Sequence, residues 1–224
     1  MRNIHRGIKA LLGGMISLIL MLLPALHQAQ TFVDDDMLKR LKIEYNEQAR
    51  QRGIALNVLL SQLQNKNVRQ QLIEVNNFFN QFRYKDDISQ WGTEDYWATP
   101  EEFMGVFSGD CEDYVIAKYF ALRALGVADE HLYLTYVKAI KENIAHMVLS
   151  YFETPQSIPL ILDNYNPRIV TADQRKDLLP VYSFNARSLF LTTPSAGMRK
   201  SLPANKIKNS KWQKLLANIK KVKP

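Results

Sequence analysis

The stretch Phe107-Ser-Gly-Asp-Cys-Glu-Asp-Tyr114 decides how the rest of the chain is read. Cys111 is the only cysteine among 224 residues. Small residues lead up to it, carboxylates flank it, and an apolar-periodic run from Tyr114 to Leu125 follows. The pattern predicts a helix that begins at the thiol and ends near Gly126, a residue suited to a C-cap. At a helix start, unpaired N–H groups and the positive end of the dipole favour a thiolate. Asp110, Glu112 and Asp113 work against this, because nearby negative charge raises a thiol pKa.

Downstream, His146 lies on an alternating strand pattern from Ile144 to Phe152, and Asp163 ends another from Pro159. Cys, then His, then Asp is the order of a thiol nucleophile, its base and the group that orients the base. Each residue alone has a plainer reading: a buried apolar thiol, a hydrogen-bonded core imidazole, and a turn aspartate beside Asn164. Their joint order, at a helix start and two strand positions, favours catalysis.

The N-terminal flank carries an address. Arg2, His5, Arg6 and Lys9 precede an apolar run from Ala10 to Leu23, which Pro24 breaks before Ala25 and Ala29. This is the layout of a signal peptide over residues 1–29, with cleavage after Ala29, and the run is short for a membrane span. No transmembrane segment is expected after cleavage; an uncleaved N-terminal anchor is the competing reading. An exported chain with one cysteine has no intramolecular disulfide and carries a free thiol, which favours a functional Cys111.

The net charge of +7 misleads if taken globally. Setting aside three basic residues in the leader and nine beyond residue 198 leaves 17 against 22 acidic ones, a net of −5. The body is therefore mildly acidic, no nucleic-acid-binding motif is present, and no nucleic-acid partner is expected.

Three helical patterns precede the cysteine: Met37 to Arg50, ended by Gly53; Ile54 to Leu63; and a stripe from Val68 through Phe82. They predict a helical lobe over about 34–83. Residues 84–109 read as an ordered loop with a short helix at Thr99-Pro-Glu-Glu102, where Thr99 caps and Pro100 takes the first turn. Beyond Gly126 the period changes from 3.6 to 2. His131 to Ile140 and Ile144 to Phe152 read as a hairpin, with further strands at 159–163 and 179–184. Helices followed by consecutive strands predict an α+β domain over 30–198, with its catalytic core at about 84–198. In the basic tail, 199–224, Trp212, Leu215, Leu216 and Ile219 form an apolar stripe opposite lysines. A helix docked on the domain is the preferred reading, and contact with an anionic membrane or acidic partner is the alternative.

The blocks Trp97-Ala-Thr-Pro-Glu-Glu-Phe103, Gly109-Asp-Cys-Glu-Asp113, Ala145-His-Met-Val148 and Leu162-Asp-Asn164 resemble the bacterial transglutaminase-like cysteine proteinase family. They most resemble its LapG-type periplasmic proteases, which release large adhesins from the cell surface. The likeness spans about residues 65–190. It implies a papain-like transglutaminase core, with the Cys helix packed on an antiparallel sheet that presents His and Asp. It carries the nucleophile to Cys111, the general base and acid to His146, and the orienting group to Asp163. It further implies calcium dependence, with Asp110, Glu112 and Asp113 as ligands; the competing reading is that these acids only cap the helix. A large surface adhesin as substrate and an inner-membrane cyclic di-GMP receptor as regulator are also implied. In the mechanism expected from these parts, the Cys111 N–H and the Trp97 indole N–H hold the oxyanion. Acyl transfer to an amine, or a non-catalytic periplasmic binding module, are the rival functions.

Overall fold

The cysteine-bearing helix runs through the middle of the molecule, with the other N-terminal helices on one side and an antiparallel sheet on the other. The computed structural model describes residues 32–185, 189–192, 198–202 and 210–222. The leader at 1–29 lies outside the described residues. No described helix is long and apolar enough to cross a membrane.

The N-terminal helices differ from their expected boundaries. Helix α1 (Asp35–Arg40) leads into one wide turn at Leu41–Tyr45, and the chain then breaks at Asn46. The Asn46 side chain accepts from the Ala49 N–H at 2.8 Å and so starts α2 (Glu47–Leu63). Gly53, expected as a terminator, lies inside α2. A Cβ there would meet Leu38 Cδ2 at 2.8 Å and Leu41 Cδ1 at 2.9 Å. The glycine serves close packing of the first helical segment on the second, and the capping asparagine makes the break.

Helix α3 (Val68–Phe79) is followed by strand β1 (Arg83–Tyr84), helix α4 (Asp87–Trp91) and helix α5 (Pro100–Val106). Thr99 caps α5 as expected, in a reciprocal box with Glu102. Strand β2 (Ser108–Gly109) pairs in parallel with β1, Tyr84 opposite Gly109, and delivers the chain to α6 (Cys111–Ala124). Ten of the residues of α6 are buried, so it is enclosed on nearly all sides. Gly126, at φ +89°, closes it.

Seven strands form the sheet in the order β6-β5-β4-β3-β7-β8-β9: β3 (Leu132–Ala139), β4 (Ile144–Tyr151), β5 (Leu160–Leu162), β6 (Val170–Thr171), β7 (Leu178–Phe184), β8 (Leu189–Thr192) and β9 (Met198–Leu202). Every described pairing in it is antiparallel. The β3–β4 hairpin pairs Val137 with His146. Pro180 sits opposite Val137, where the β3–β7 register shifts; a residue without an N–H is tolerated at such an irregularity. The mixed helix-and-antiparallel-sheet architecture agrees with the α+β reading. β9 crosses the division drawn at residue 198, so the sheet extends into the start of the basic tail.

The tail ends in α7 (Ser210–Val222), and its apolar stripe docks on the body. Trp212 is 4% exposed and Leu215 1%. The indole stacks on Phe120 and meets Tyr119 and Phe184 edge-on. Lys211 pairs with Asp95. One apolar cluster thus runs from Val33 through α6 to Leu215.

Candidate active site

Cys111 is the first residue of α6, with Asp110 as N-cap accepting from the Glu112 N–H at 3.3 Å. Gly109 is required here: a Cβ would lie 2.2 Å from Asp113 Oδ2. The glycine therefore lets the Asp113 carboxylate fold back beneath the turn. The backbone N–H of Met147, which follows His146 on β4, favours the thiolate form of the sulfur. Burial pushes the thiol well above its usual pKa, and the Glu112 and Asp110 charges add to this; the Met147 N–H pulls the other way. The thiol itself donates to Glu112 Oε2 at 2.8 Å.

His146 and Asp163 come together through the sheet. The β4–β5 register pairs Leu149 with Leu162, which puts Asp163 level with Val148 and diagonal to His146 on the same face. His146 Nε2–H donates to Asp163 Oδ1 at 2.8 Å, with both side chains fully buried. Burial raises the Asp163 pKa, but the imidazole, the Tyr165 N–H and Arg175 outweigh it and hold the carboxyl at about 2. Because the carboxylate is ionised, Nε2 carries a proton and Nδ1 is the nitrogen left to exchange one. Nδ1 has no hydrogen-bond partner among the described residues.

Three residues that the sequence reading missed support this pair. Tyr165 stacks on the imidazole at 4.1 Å, 13° from parallel, and its N–H donates to Asp163 Oδ1 at 3.0 Å. Arg175 Nη2 donates to Asp163 Oδ2 at 2.8 Å and to Asp177 Oδ2 at 2.7 Å. Lys118 on α6 is 0% exposed, over the Tyr114 ring; burial pushes it down to about 7 against the pull of Asp163.

The three acids expected as metal ligands fall in two clusters that share Asp110, namely Asp87–Asp110–Asp113 and Asp110–Cys111–Glu112. Asp110 and Asp113, three apart on the helix start, share a face and meet Asp87 of α4. Glu112 points instead to the sulfur. The Asp87–Asp110–Asp113 cluster bears the marks of a missing positive charge. Asp113 Oδ2 and Asp87 Oδ1 are buried without partners, while the other oxygens accept from Ala98 N–H and Tyr96 N–H. Burial and the charges of Glu112, Asp113 and Asp87 push Asp110 up to about 9, and burial raises Asp87 and Asp113 as well. Carboxylate oxygens suit a hard cation, whereas the second group, Asp110–Cys111–Glu112, includes sulfur and suits one less well. Asp87 carried no signal in the sequence, since nothing in its spacing links it to residue 110.

Trp97 donates its indole N–H to Asp95 Oδ1 at 3.2 Å, and its ring stacks on Phe184.

The family model for bacterial transglutaminase-like cysteine proteinases, BTLCP, matches residues 45–178. The chain belongs to this family. Solved structures similar to it include Legionella pneumophila LapG in an EGTA-treated form, 40% identical over 82% of this chain and 95% of that one, with a TM-score of 0.71. The calcium-bound form of Legionella pneumophila LapG is 41% identical over 81% and 97%, with a TM-score of 0.70. No curated protein matches the chain. The matched span of this transglutaminase-like cysteine proteinase contains Cys111, His146 and Asp163, together with Asp87 and Arg175.

Proposed function

We propose that the chain is a periplasmic, calcium-dependent cysteine endopeptidase that cuts the N-terminal region of a large surface adhesin. Release of the adhesin would end attachment in a biofilm, and a cyclic di-GMP receptor in the inner membrane would restrain the enzyme. Family membership and the similarity to LapG support the peptidase and the calcium. The single observation that carries the reading is the buried His146–Asp163 pair, with His146 Nδ1 unpartnered among the described residues and the next residue, Met147, favouring the Cys111 thiolate through its backbone N–H.

In the proposed reaction the Cys111 sulfur turns from Glu112 to His146 and gives its proton to Nδ1. The thiolate attacks the substrate carbonyl, and the backbone N–H of Cys111, in the first turn of α6, holds the oxyanion. The imidazolium then protonates the leaving amine, and water cleaves the thioester with His146 as base. Asp163 stabilises the imidazolium and keeps the ring in the tautomer that leaves Nδ1 free. Asp87, Asp110 and Asp113 would hold calcium, which supplies the positive charge that these buried carboxylates lack beside the nucleophile.

The test incubates purified mature protein, with calcium or with EGTA, with N-terminal fragments of large surface proteins from the same genome. A discrete calcium-dependent cut that Cys111→Ala abolishes supports the reading. Incorporation of a labelled amine into a glutamine-containing acceptor, with no cut, would replace hydrolysis by acyl transfer, which the same three residues can perform. Full biological activity of Cys111→Ala, lost on deletion of 202–224, would favour a binding module.

A further inference from the structure

We propose that an open cationic cleft beside the Cys111 turn takes acidic side chains of the polypeptide being cleaved; this rests on the peptidase reading above. The cleft, of about 740 Å³, is lined by Arg52 from α2, by Arg83 and Tyr84 of β1, and by Lys85. Among the described residues, no aspartate or glutamate lines it. The body as a whole carries a net of −5 over residues 30–198, so this concentration of positive charge is local.

The charges here lack the counterions that neighbouring cations have. Arg40 pairs with Glu101, and both Lys42 and Arg50 pair with Glu47. Arg52, Arg83 and Lys85 make no ion pair among the described residues. Arg52 is held rigidly: Nε donates to Met104 O at 2.7 Å, Nη2 to Gly105 O at 2.8 Å, and the guanidinium lies over the Phe107 ring. Partial burial, and then the charge of Arg83, lower the Arg52 pKa. Two guanidinium groups thus repel each other across a concave surface, and a carboxylate between them would relieve the repulsion and accept charge-assisted hydrogen bonds.

The position ties the cleft to the cleavage site. β1 pairs with β2, and the Lys85 N–H donates to Gly109 O at 2.9 Å, two residues before the nucleophile. Tyr84, which lines the cleft, also meets Tyr165 edge-on, and Tyr165 stacks on His146. A polypeptide whose scissile bond lies at Cys111 therefore passes Tyr84 to enter the cleft. Its available anions are aspartate and glutamate side chains, which fixes the class of group recognised.

The experiment uses the Cys111→Ala protein, so that binding is read without turnover. Its probes are two fluorescent peptides with an Ala/Gly centre, flanked by four glutamates or by four glutamines. The glutamate peptide should bind about tenfold more tightly at low salt, with the advantage shrinking as salt rises. The exposed pair Arg83→Gln/Lys85→Gln should reduce it to the level of the glutamine peptide, with the thermal melt unchanged. In the unmutated protein, the glutamate peptide should slow alkylation of Cys111 by iodoacetamide. Equal binding of both peptides, or a preference that survives the double substitution, would overturn the cleft. Binding without protection of Cys111 would overturn its assignment to the substrate and mark a surface for another acidic partner. Preference and protection in a protein that cuts no polypeptide would sustain the cleft while the peptidase reading fell.

Discussion

His146 donates from Nε2 to Asp163 at 2.8 Å and leaves Nδ1 without a partner among the described residues. An ionised carboxylate on one ring nitrogen dictates that the other is the base. His146→Ala and Cys111→Ala should each abolish cleavage while the protein remains folded. Asp163→Asn, whose amide can present an N–H to Nε2 and so reverse the tautomer, should lower kcat by about 10³- to 10⁴-fold. Turnover of defined fragments, alongside circular dichroism, checks all three; a near-normal rate for His146→Ala would remove the triad.

Asp163 should also govern acid stability. Its pKa is held at about 2, below the usual 3.8. A depressed carboxyl contributes stability that is complete above 3.8 and is lost as pH falls through about 2. The contribution is about 2 kcal/mol at neutral pH. Urea unfolding of wild type and Asp163→Asn should therefore differ most at pH 7, with this part of the difference vanishing near pH 2.

Arg175 is 5% exposed and grips Asp163 and Asp177 at once. Arg175→Met would leave a buried carboxylate less well compensated and should cost roughly 3 kcal/mol. Because Asp163 positions the imidazole, kcat should fall while KM stays close to wild type. Arg175→Lys keeps the charge without the fork and should recover only part of both losses. Unfolding curves and steady-state kinetics separate the two effects.

The Asp87–Asp110–Asp113 cluster has the opposite sign to Asp163. A carboxyl pushed up to about 9, as at Asp110, favours the protonated fold. Its contribution is in place below the usual carboxylate pKa and is lost as pH rises toward 9. Metal-free protein should lose stability from this cluster across that window, and calcium, replacing the proton, should restore it. The stabilisation by calcium, read as a rise in Tm, should be small at pH 5 and large at pH 8, where it is worth about 2.7 kcal/mol at a hundredfold excess over Kd. Asp87→Asn should reduce the gain sharply. EGTA should reversibly lower activity; full activity in excess chelator would leave calcium without a role.

The tail makes a separate prediction. Trp212 fills a site formed by Tyr119, Phe120 and Phe184. Trp212→Ala should cost about 3–5 kcal/mol, as large buried truncations do. A change within error in urea unfolding would mean that α7 leaves the body in solution.

Legibility followed the range of the forces involved. The cap at Thr99, the stop at Gly126 and the His146 strand rest on interactions within a few residues, so local spacing revealed them. Gly53 misled because the contacts that require it come from Leu38 and Leu41 on a preceding segment.

From the sequence alone came the candidate nucleophile, base and orienting acid in order, the helix that begins at the thiol, and the change from helical to strand periodicity. Each is written in short-range patterning or in a motif. Tertiary structure alone brought Asp87 beneath the Cys111 turn, seated Arg175 and Tyr165 on the His146–Asp163 pair, and engaged the Trp97 indole with Asp95. Those relationships join residues from separate elements or depend on how a loop folds back. Their energy comes from burial and charge compensation, which exist only once the chain has closed around them.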